Sequence, residues 1–569
     1  MNFDLRTVPF SRFGSYIAFS HLERTSTRDN ALYMRSIHGT HHHPDNLQEL
    51  FRVDLMEDMQ AVAFNEVASP SLLRLECESG YAEICIQEPK LVRIRCQGVT
   101  IRFHAQTTMF DNAIPRLGDR WEVTSHRLQT KYMLTPHMGE LVVEAPWNVD
   151  RTEFITFDIV PDSESGIGEC TIEEFMPVWR ERETIETFDE AVGLVEAEFS
   201  DWLKKMPEVP EVYREAGELA AYITWSCVVE PSGLLQRPAM LMSKNWMTSL
   251  WSWDNCFNAI ALSYKKPEMA WDQFMILIDH QDESGVFPDS ISDRLEFWTF
   301  CKPPIHGWAL DKMLQNFGAI HIDRLNEVYE PLKRWNQWWF KFRDDDGDGI
   351  PQYNHGNDSG WDNSTVFTVQ PPIESPDLTT YIIIQMEVIS KVAELLGKEN
   401  EARGWKGRAQ VLSHLFLSHS WKYDRFVALR SGDHTVIDSE SLLLFIPLLL
   451  GERLPARYQE KLIEGLTQEG RFITEFGLAS ESPKSPYYEP DGYWRGPIWA
   501  PSTMLLVDAL AACGEPDLAK EISRRFCDMA LKSGMAENFN ALTGEGLRDQ
   551  AYTWTASVFL ILAHEYLME

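Results

Sequence analysis

The sequence has no uninterrupted apolar run of about 18 residues, the length that a membrane-spanning helix needs. Residues 1–19 also lack the basic stretch and unbroken apolar stretch of a secretory leader. Positive charge is scarce, since 52 Lys and Arg face 86 Asp and Glu and give a formal net charge of −34 at pH 7. Such a surface repels phosphate backbones and anionic lipid. We therefore expect a cytoplasmic protein with no nucleic-acid or membrane partner.

Cysteine is sparse and scattered. The nine Cys residues include no Cys-x-x-Cys pair, which argues against a disulfide framework or a zinc site and favours reduced thiols in the core. Three consecutive histidines, His41 to His43, resemble a metal cluster at first sight. Adjacent histidines rarely converge on one ion without partners elsewhere, so we interpret them as part of a solvated loop.

Aromatic residues are abundant. With 20 Trp, 30 Phe and 17 Tyr, 44% hydrophobic and 24% charged residues, the composition is that of a soluble globular protein and excludes disordered and collagen-like classes. Indole faces stack well on the flat apolar face of a sugar ring, but they also fill large cores. Composition alone does not choose between these two interpretations.

The first third of the chain is predicted to be a β-sandwich spanning residues 1–180. Short, partly alternating segments bounded by Gly, Pro, Asn or Asp lie at 72–76, 82–87, 91–96, 99–104, 131–134, 140–143 and 153–160. An acidic segment, 181–210, follows and suits a helical linker.

The remainder, 211–569, shows the periodicity of amphipathic helices. The predicted helices are 212–230, 250–264, 266–280, 303–318, 323–343, 377–397, 400–420, 438–450, 455–467, 499–513, 515–534 and 551–567. Twelve helices in sequential pairs fit a closed toroid of six inner and six outer helices, and no short repeat suggests an open solenoid. The predicted fold class is thus an N-terminal β-sandwich followed by an all-α (α/α)6 barrel.

Four loops between the predicted helices are longer than packing requires and rich in Trp, Asp, Asn and Gly. They lie at 245–255, 357–364, 493–499 and 536–546. Loops of this kind usually carry function, and all four could line one end of a toroid.

Two acids in these loops fit the cleavage of a glycosidic bond. That reaction needs one carboxylic acid to protonate the departing oxygen and one carboxylate to attack or to activate water. Asp362 follows Trp361, whose indole could desolvate it and raise its pKa, although a turn aspartate is an equally simple interpretation. Glu537 lies far enough along the chain to face Asp362 across a barrel, and Asp254 and Glu545 are its nearest competitors.

At this point the sequence resembles glycoside hydrolase family 63, which belongs to the same clan as the trehalases. The resemblance rests on Ser359–Ser364 (SGWDNS), on 493–499 (YWRGPIW), and on 537–546 (ENFNALTGEG) followed by 552–556 (YTWTA), in the expected order. It implies an inverting α-glycosidase in which Asp362 is the general acid and Glu537 the general base. The matching region does not contain the trehalase signature, which makes trehalose a weaker substrate candidate.

The resemblance also implies substrate-binding residues. Asp254 corresponds to an aspartate that accepts hydrogen bonds from the sugar held at the cleavage point, and the other implied contacts are Trp251, Trp253, Gly360, Trp361, Tyr493, Trp494, Arg495 and Trp499. Gln281 is a further candidate. Lys302 stands where bacterial relatives carry Gln, and it either favours an anionic aglycone or pairs with a local acid.

A second site is suggested by the run Asp344, Asp346, Asp348 and Ile350, which matches the start of a calcium loop with alternate carboxylates and one backbone carbonyl. His355 occupies the position of the expected bidentate Glu, so calcium and a plain acidic helix terminus both remain open.

The expected activity is therefore exo-acting hydrolysis of an α-glycosidic bond, most simply an α-glucoside, in a small or terminal sugar substrate. No cofactor is required for this activity, and the calcium loop above offers a structural site for which calcium and a plain acidic terminus both remain open. The alternatives are a trehalase, a phosphorolytic enzyme in which phosphate replaces water, and a sugar-binding barrel that has lost catalysis. The sequence predicts no oligomeric state.

Overall fold

The computed structural model describes residues 1–26, 28–39, 48–318 and 321–568. His41 to His43 lie outside this part. The chain forms two compact units: Met1–Lys204, Ala221–Ser232 and Ser243–Thr248 make the first, and Lys205–Ala220, Gly233–Met242 and Ser249–Glu569 make the second. The chain passes between the units more than once. The domain boundaries 1–180, 181–210 and 211–569 stay a prediction.

The first unit contains two eight-stranded antiparallel sheets, which confirms the predicted β-sandwich. One sheet has the order β1-β2-β3-β4-β10-β17-β14 with β5 beside β4, and the other has the order β11-β12-β13-β18-β9-β8-β7-β6. The strands are β1 (Phe10–Ser11), β2 (Ile17–Leu22), β3 (Ala31–Ser36), β4 (Glu49–Glu57), β5 (Gln60–Val62), β6 (Asn65–Ala68), β7 (Leu73–Glu76), β8 (Tyr81–Glu88), β9 (Leu91–Gln97), β10 (Thr100–Gln106), β11 (Asn112–Pro115), β12 (Trp121–Ser125), β13 (Thr130–Met138), β14 (Glu140–Glu144), β15 (Trp147–Asn148), β16 (Arg151–Thr152), β17 (Phe154–Val160) and β18 (Ile167–Phe175).

The sandwich core follows from the alternation of apolar residues along its strands. In β10 the side chains of Ile101 and Phe103 are buried while their neighbours are half-buried. The Phe103 ring stacks on Phe157 of β17 with 4.8 Å between centroids, and Phe51 meets both rings edge-on. These three rings lie in one sheet, and Phe51 also meets Tyr132 of β13 in the other sheet edge-on, with 6.4 Å between centroids. Such rings contribute large buried areas, so this contact helps to hold the two sheets together.

The predicted linker contains helix α1 (Phe188–Lys204), which packs on β8 and β9 of the first unit. Its apolar face is buried through Phe188, Val195 and Trp202.

The second unit is helical, and the predicted (α/α)6 barrel is confirmed. The helices after α1 in the described part are α2 (Arg214–Ser226), α3 (Asp254–Ser263), α4 (Pro267–Met275), α5 (His306–Asn316), α6 (Ile322–Phe342), the single turn α7 (Gly356–Ser359), α8 (Pro376–Leu395), α9 (Glu399–Ser420), α10 (Ala456–Thr467), α11 (Ala500–Ala512), α12 (Pro516–Ser533) and α13 (Thr553–Leu567). None of the helices in the described residues is long and apolar enough to cross a membrane.

One predicted helix takes a different form. The segment predicted as 438–450 is a 3₁₀ run, Leu442–Arg453, that is interrupted at Gly451, where φ is 53°. Pro447 lies inside it and lacks the N–H that an α-helix would use. The run Leu442–Gly451 is buried throughout, so its apolar sequence reflects burial rather than an amphipathic face.

Short strands connect the helices and shape the loops. They are β19 (Val228–Val229), β20 (Ala239–Met240), β21 (Leu250–Trp251), β22 (Ser290–Ile291), β23 (Glu296–Phe297), β24 (Ile373–Glu374), β25 (Trp421–Lys422), β26 (Arg425–Phe426), β27 (Leu429–Arg430), β28 (Asn538–Phe539) and β29 (Gly546–Leu547).

Helices α3 and α13 close the barrel through buried polar groups. The Asn258 side-chain amide donates to Thr553 Oγ1 at 3.1 Å, and Ser557 Oγ donates to Asn258 Oδ1 at 2.8 Å. These hydrogen bonds join residues that are 295 and 299 positions apart.

Candidate active site

Asp362 lies in a tight turn just after α7. Gly360 ends that helical turn with φ 74°, and Trp361 is completely buried. With its amide nitrogen turned toward Asp362, Asn357 donates to both carboxylate oxygens at 3.0 and 3.1 Å. The Asp362 side chain is 30% exposed, so this carboxyl group is reached from solvent on one side. Burial raises the pKa of Asp362, and nearby Lys302 opposes that shift.

Glu537 lies between α12 and β28 and is held by its backbone. Its N–H donates to Asp549 O at 2.7 Å, and its carbonyl accepts from Trp554 Nε1 at 3.2 Å. The residue is only 1% exposed. Burial, followed by the charge of Asp549, raises the pKa of Glu537 to about 8.

A third acid, Asp254, begins helix α3. Strand β21 precedes it and pairs with β22, which brings Asp289, the residue before β22, to the same region. Lys302 connects these acids: its Nζ lies 3.2 Å from Asp289 Oδ1 and 3.9 Å from Asp362 Oδ1, and it donates to Asn357 O at 2.8 Å. Lys302 is 6% exposed and thus pairs with local acids, one of the two roles expected for it.

The three acids from separate loops converge on Tyr493. The pKa of Tyr493 is raised well above its ordinary value, first by burial and then by the charges of Glu537, Asp362 and Asp254. The pKa of Asp254 is itself raised to about 8, chiefly by burial. The charges of residues 254, 362 and 537 thus all act on one buried side chain.

Several buried polar atoms of this region have no hydrogen-bond partner among the described residues. They include Asp254 Oδ2, Glu537 Oε2, Ser252 Oγ, Ser290 Oγ and Trp361 Nε1. Buried polar groups are normally paired, so a concentration of unpaired donors and acceptors is typical of a site that awaits a polar ligand.

Asn363 joins the Asp362 turn to the loop that carries Tyr493. Its Nδ2 donates to Gly492 O at 3.0 Å, and its Oδ1 accepts from the N–H of Trp494 at 2.9 Å. One side chain beside the acid thus fixes the loop that faces it.

The predicted tryptophans form a packed layer. Trp494 and Trp499 stack with centroids 4.0 Å apart and planes 4° apart, Trp361 lies 4.6 Å from Trp494, and Trp253 lies 6.1 Å from it. These four side chains are at most 2% exposed. They therefore support the loops from behind.

The other predicted contacts lie in different surroundings. Trp251 is in β21 and 8% exposed. Arg495 pairs with Glu489 in its own loop at 2.9 Å. Gln281 donates to Gly285 O at 2.7 Å and to Pro331 O at 2.9 Å, so its amide nitrogen stabilises a loop beside α6.

Some site residues were not predicted from the sequence. Asp289 and Asn357 contact the Lys302–Asp362 pair, and Tyr552 lies in the field of Glu537 and Asp254. Asn357 and Tyr552 fall inside or beside segments singled out from the sequence. Asp289 precedes an unremarkable short strand, so only the β21–β22 pairing reveals it.

Gly360 is a position where only glycine fits. A Cβ there would lie 2.5 Å from Trp253 Cε2, in a backbone conformation with positive φ. We expect Gly360→Ala to lower the free energy of unfolding by about 2–4 kcal/mol, from the combined conformational and overpacking costs. Urea unfolding measures this change. Gly404→Ala in α9 is the control, since its Cβ would meet nothing within 4 Å and alanine favours the helix.

The predicted calcium loop brings its three carboxylates together. Ligand oxygens of Asp344, Asp346 and Asp348 lie within 4.8 Å of one another. The Ile350 N–H donates to Asp348 Oδ1 at 2.8 Å, and the Gly349 N–H approaches Asp344 Oδ2 at 3.2 Å. Hard oxygen donors in this arrangement fit a divalent cation, and calcium binding stays a prediction. His355 instead caps α7, accepting from the Asn357 N–H at 3.0 Å.

Comparison with known proteins places these features in a family. The family model described as the mannosylglycerate hydrolase MGH1-like glycoside hydrolase domain matches residues 247–555. Mannosylglycerate hydrolase MGH2 of Selaginella moellendorffii is 22% identical over 392 residues, covering 54% of this chain and 79% of that protein. Glucosylglycerate hydrolase of Mycolicibacterium hassiacum is 23% identical over 405 residues, covering 55% of this chain and 91% of that protein.

Solved structures share the fold. The GH63 mannosylglycerate hydrolase from Thermus thermophilus, in complex with glucose, aligns with a TM-score of 0.52 and 17% identity over 61% of this chain and 99% of that one. A bacterial glucoamylase complexed with acarbose aligns with a TM-score of 0.63 and 8% identity over 99% of this chain and 94% of that one. Since the family model covers more than half of the sequence, the chain belongs to the MGH1-like glycoside hydrolases of glycoside hydrolase family 63.

Proposed function

We propose that the protein is an inverting, exo-acting hydrolase of α-glycosidic bonds in small or terminal sugar substrates. The observation that carries the proposal is the convergence of Asp362, Glu537 and Asp254 on Tyr493, among buried polar atoms that have no partner in the described residues. Two carboxyl groups beside an unfilled polar region supply the acid and the base that glycoside hydrolysis requires.

In the proposed mechanism Asp362 is the general acid. Its carboxyl group gives a proton to the glycosidic oxygen as the bond from that oxygen to the anomeric carbon breaks. In its ionised form, which prevails in the unliganded chain above the raised pKa of about 8, Glu537 takes a proton from a water molecule, whose oxygen forms the new bond on the opposite face of the sugar. Asp254, with its unpaired Oδ2, accepts hydrogen bonds from sugar hydroxyls and orients the ring. The Asp362 side chain is exposed to solvent on one side of the site, and an aglycone can leave from there.

The relatives suggest the substrate class. The proteins at 22–23% identity are named mannosylglycerate and glucosylglycerate hydrolases. We propose an α-linked glycoside with a small aglycone, with α-glucosides and glycosylglycerates as the first candidates. Lys302 is not assigned to an anionic aglycone, because its Nζ is occupied by Asp289 and Asn357 O.

A screen of α-linked disaccharides, trehalose and glycosylglycerates tests the proposal, with NMR detection of the anomer formed first. Hydrolysis of an α-glycoside that yields the β-anomer is the expected result. First release of the α-anomer would contradict inversion, and absence of hydrolysis across the panel would contradict the proposed substrate class.

The same panel separates the alternative functions. A trehalase would cleave trehalose alone. A phosphorolytic enzyme would release a sugar phosphate and depend on inorganic phosphate. Either result would replace the proposed activity, and a catalytically lost sugar-binding barrel would bind panel sugars without turnover.

Burial of Glu537 makes stability depend on pH. Because its folded-state pKa is raised to about 8 from 4.5, the folded chain keeps a proton that the unfolded chain loses, and the free energy of unfolding falls as pH rises between these values. We expect Glu537→Gln to raise the Tm, and the gain should be larger at pH 8 than at pH 5. Calorimetry at both pH values measures the gain. Glu475→Gln changes a side chain that is exposed in folded and unfolded chains and should show no such trend.

A further inference from the structure

A cluster outside the active site combines carboxylates with imidazoles. One ligand atom each from Asp348, Glu374, His419 and His434 lies within 4.8 Å of the others. The four residues come from different segments: Asp348 from the acidic loop, Glu374 from β24, His419 from the end of α9, and His434 from the loop after β27. The sequence predicted a cation here from the aspartates alone, with oxygen ligands only. The two imidazoles add nitrogen ligands to these carboxylate oxygens.

Three distances between the ligand atoms fit a single ion. His434 Nε2 lies 3.5 Å from Asp348 Oδ2 and 3.7 Å from Glu374 Oε2, and His419 Nδ1 lies 3.4 Å from Asp348 Oδ2. Ligands held about 2.0–2.2 Å from a tetrahedral ion are separated from one another by roughly 3.4 Å. Two contacts are as short as direct hydrogen bonds: His419 Nε2 lies 2.7 Å from Glu374 Oε2, and His434 Nε2 lies 3.1 Å from Asp346 Oδ2. Since an imidazole binds an ion through one nitrogen, an ion bound by His419 Nδ1 leaves Nε2 to its hydrogen bond with Glu374.

The charges in this region need a cation. Asp344, Asp346, Asp348 and Glu374 have no Lys or Arg nitrogen within 4 Å among the described residues, and only the imidazoles of His419 and His434 approach them as bases. The Glu374 side chain is 0% exposed, and its Oε1 is buried with no hydrogen-bond partner in the described part of the chain. Burying a carboxylate with an unpaired oxygen costs free energy, and a cation bound by this carboxylate and the two imidazoles would offset that cost.

We propose that Asp348, Glu374, His419 and His434 bind one transition-metal ion of the Zn²⁺ class, in place of the calcium ion predicted from the aspartates. Imidazole nitrogen is a preferred ligand of Zn²⁺ and a poor ligand of Ca²⁺, which takes oxygen donors. The ion cross-links the acidic loop, β24, α9 and the loop after β27. Because Tyr353 pairs with Ile373 through hydrogen bonds of 2.8 Å in both directions, the ion also steadies the segment that leads to Asp362.

The test uses the full chain, purified without a polyhistidine tag. Metal content is measured by mass spectrometry before and after dialysis against a chelator, and Co²⁺ is then titrated as a spectroscopic substitute. One Zn²⁺ per chain, or one Co²⁺ with the visible absorption of a tetrahedral nitrogen and oxygen site, is expected. His419→Gln and His434→Asn should weaken Co²⁺ binding by more than about 100-fold. Asparagine suits the positive φ of 52° at position 434.

The control is His414→Gln in the same helix α9. The His414 side chain is exposed, with Nδ1 2.7 Å from Gln410 O, and this variant should bind Co²⁺ like the unchanged chain. Circular dichroism verifies that each variant is folded. If a histidine variant does not fold, two other measurements test the proposal. Glu374→Gln should weaken Co²⁺ binding, and a Ca²⁺ titration of the unchanged chain shows whether the site takes Ca²⁺ instead. The proposal is overturned if the unchanged chain binds neither Zn²⁺ nor Co²⁺ at micromolar concentration. It is also overturned if the chain binds Ca²⁺ alone, or if folded histidine variants bind Co²⁺ unchanged.

Discussion

Replacement of Asp362 by Asn, or of Glu537 by Gln, is expected to lower kcat/KM on a natural glycoside by on the order of 10²–10⁴-fold. Each change removes one proton transfer while keeping the size of the side chain. Steady-state kinetics on the best substrate of the screen measures the loss. Glu545→Gln is the matched control, since Glu545 is exposed in the same C-terminal loop region and was one of the two competing candidates named from the sequence.

A glycosyl fluoride separates the two roles. Fluoride leaves without protonation, so Asp362→Asn should recover most of its activity on this substrate. Glu537→Gln should stay inactive, because water still needs a base. Equal loss in both variants on the fluoride would refute the assignment of acid and base, and full activity of either variant on the natural glycoside would remove that residue from catalysis.

The second large effect is expected at Lys302. Lys302→Met leaves Asp289 and Asp362 without the cation that lies 3.2 and 3.9 Å from them. Removing one partner of a buried ion pair typically costs about 3–5 kcal/mol, because the remaining charge is unpaired. Urea unfolding should show a loss of this size, and kcat/KM should fall as the Asp362 carboxyl group loses its position.

A second substitution distinguishes lost charge from lost packing. If unpaired charge is the cause, Asp289→Asn added to Lys302→Met should restore part of the stability. Lys461→Met changes a solvent-exposed pair with Glu464 and should alter stability by less than about 0.5 kcal/mol. A Lys302→Met protein as stable as the unchanged chain would show that this ion pair does not hold the site together.

The helices of the barrel could be predicted because their signals are local. The predicted segments 323–343 and 400–420 correspond to Ile322–Phe342 and Glu399–Ser420. The prediction for 250–264 began too early, because Leu250–Trp251 pairs with β22 and the helix starts at Asp254. A two-residue strand depends on a partner that periodicity does not reveal.

The site could be predicted only in part. The sequence drew attention to Asp362, Glu537 and Asp254, whose motifs are distinctive, but their common surroundings come from packing between distant loops. The tryptophans were predicted as contacts, yet composition could not tell a binding face from a supporting layer. For the metal cluster, the aspartates form a recognisable run, whereas Glu374, His419 and His434 are isolated in sequence.

The hydrogen bonds that join α3 to α13 have a consequence for biosynthesis. Asp254 begins the helix that carries Asn258, whose hydrogen-bonding partners Thr553 and Ser557 emerge from the ribosome almost three hundred residues later. The toroid can close only after translation of its last helix, so contacts of high sequence separation form late. Until then the nascent chain presents an open arc of apolar helices, and a slowly translated or truncated copy would be a natural client for chaperones.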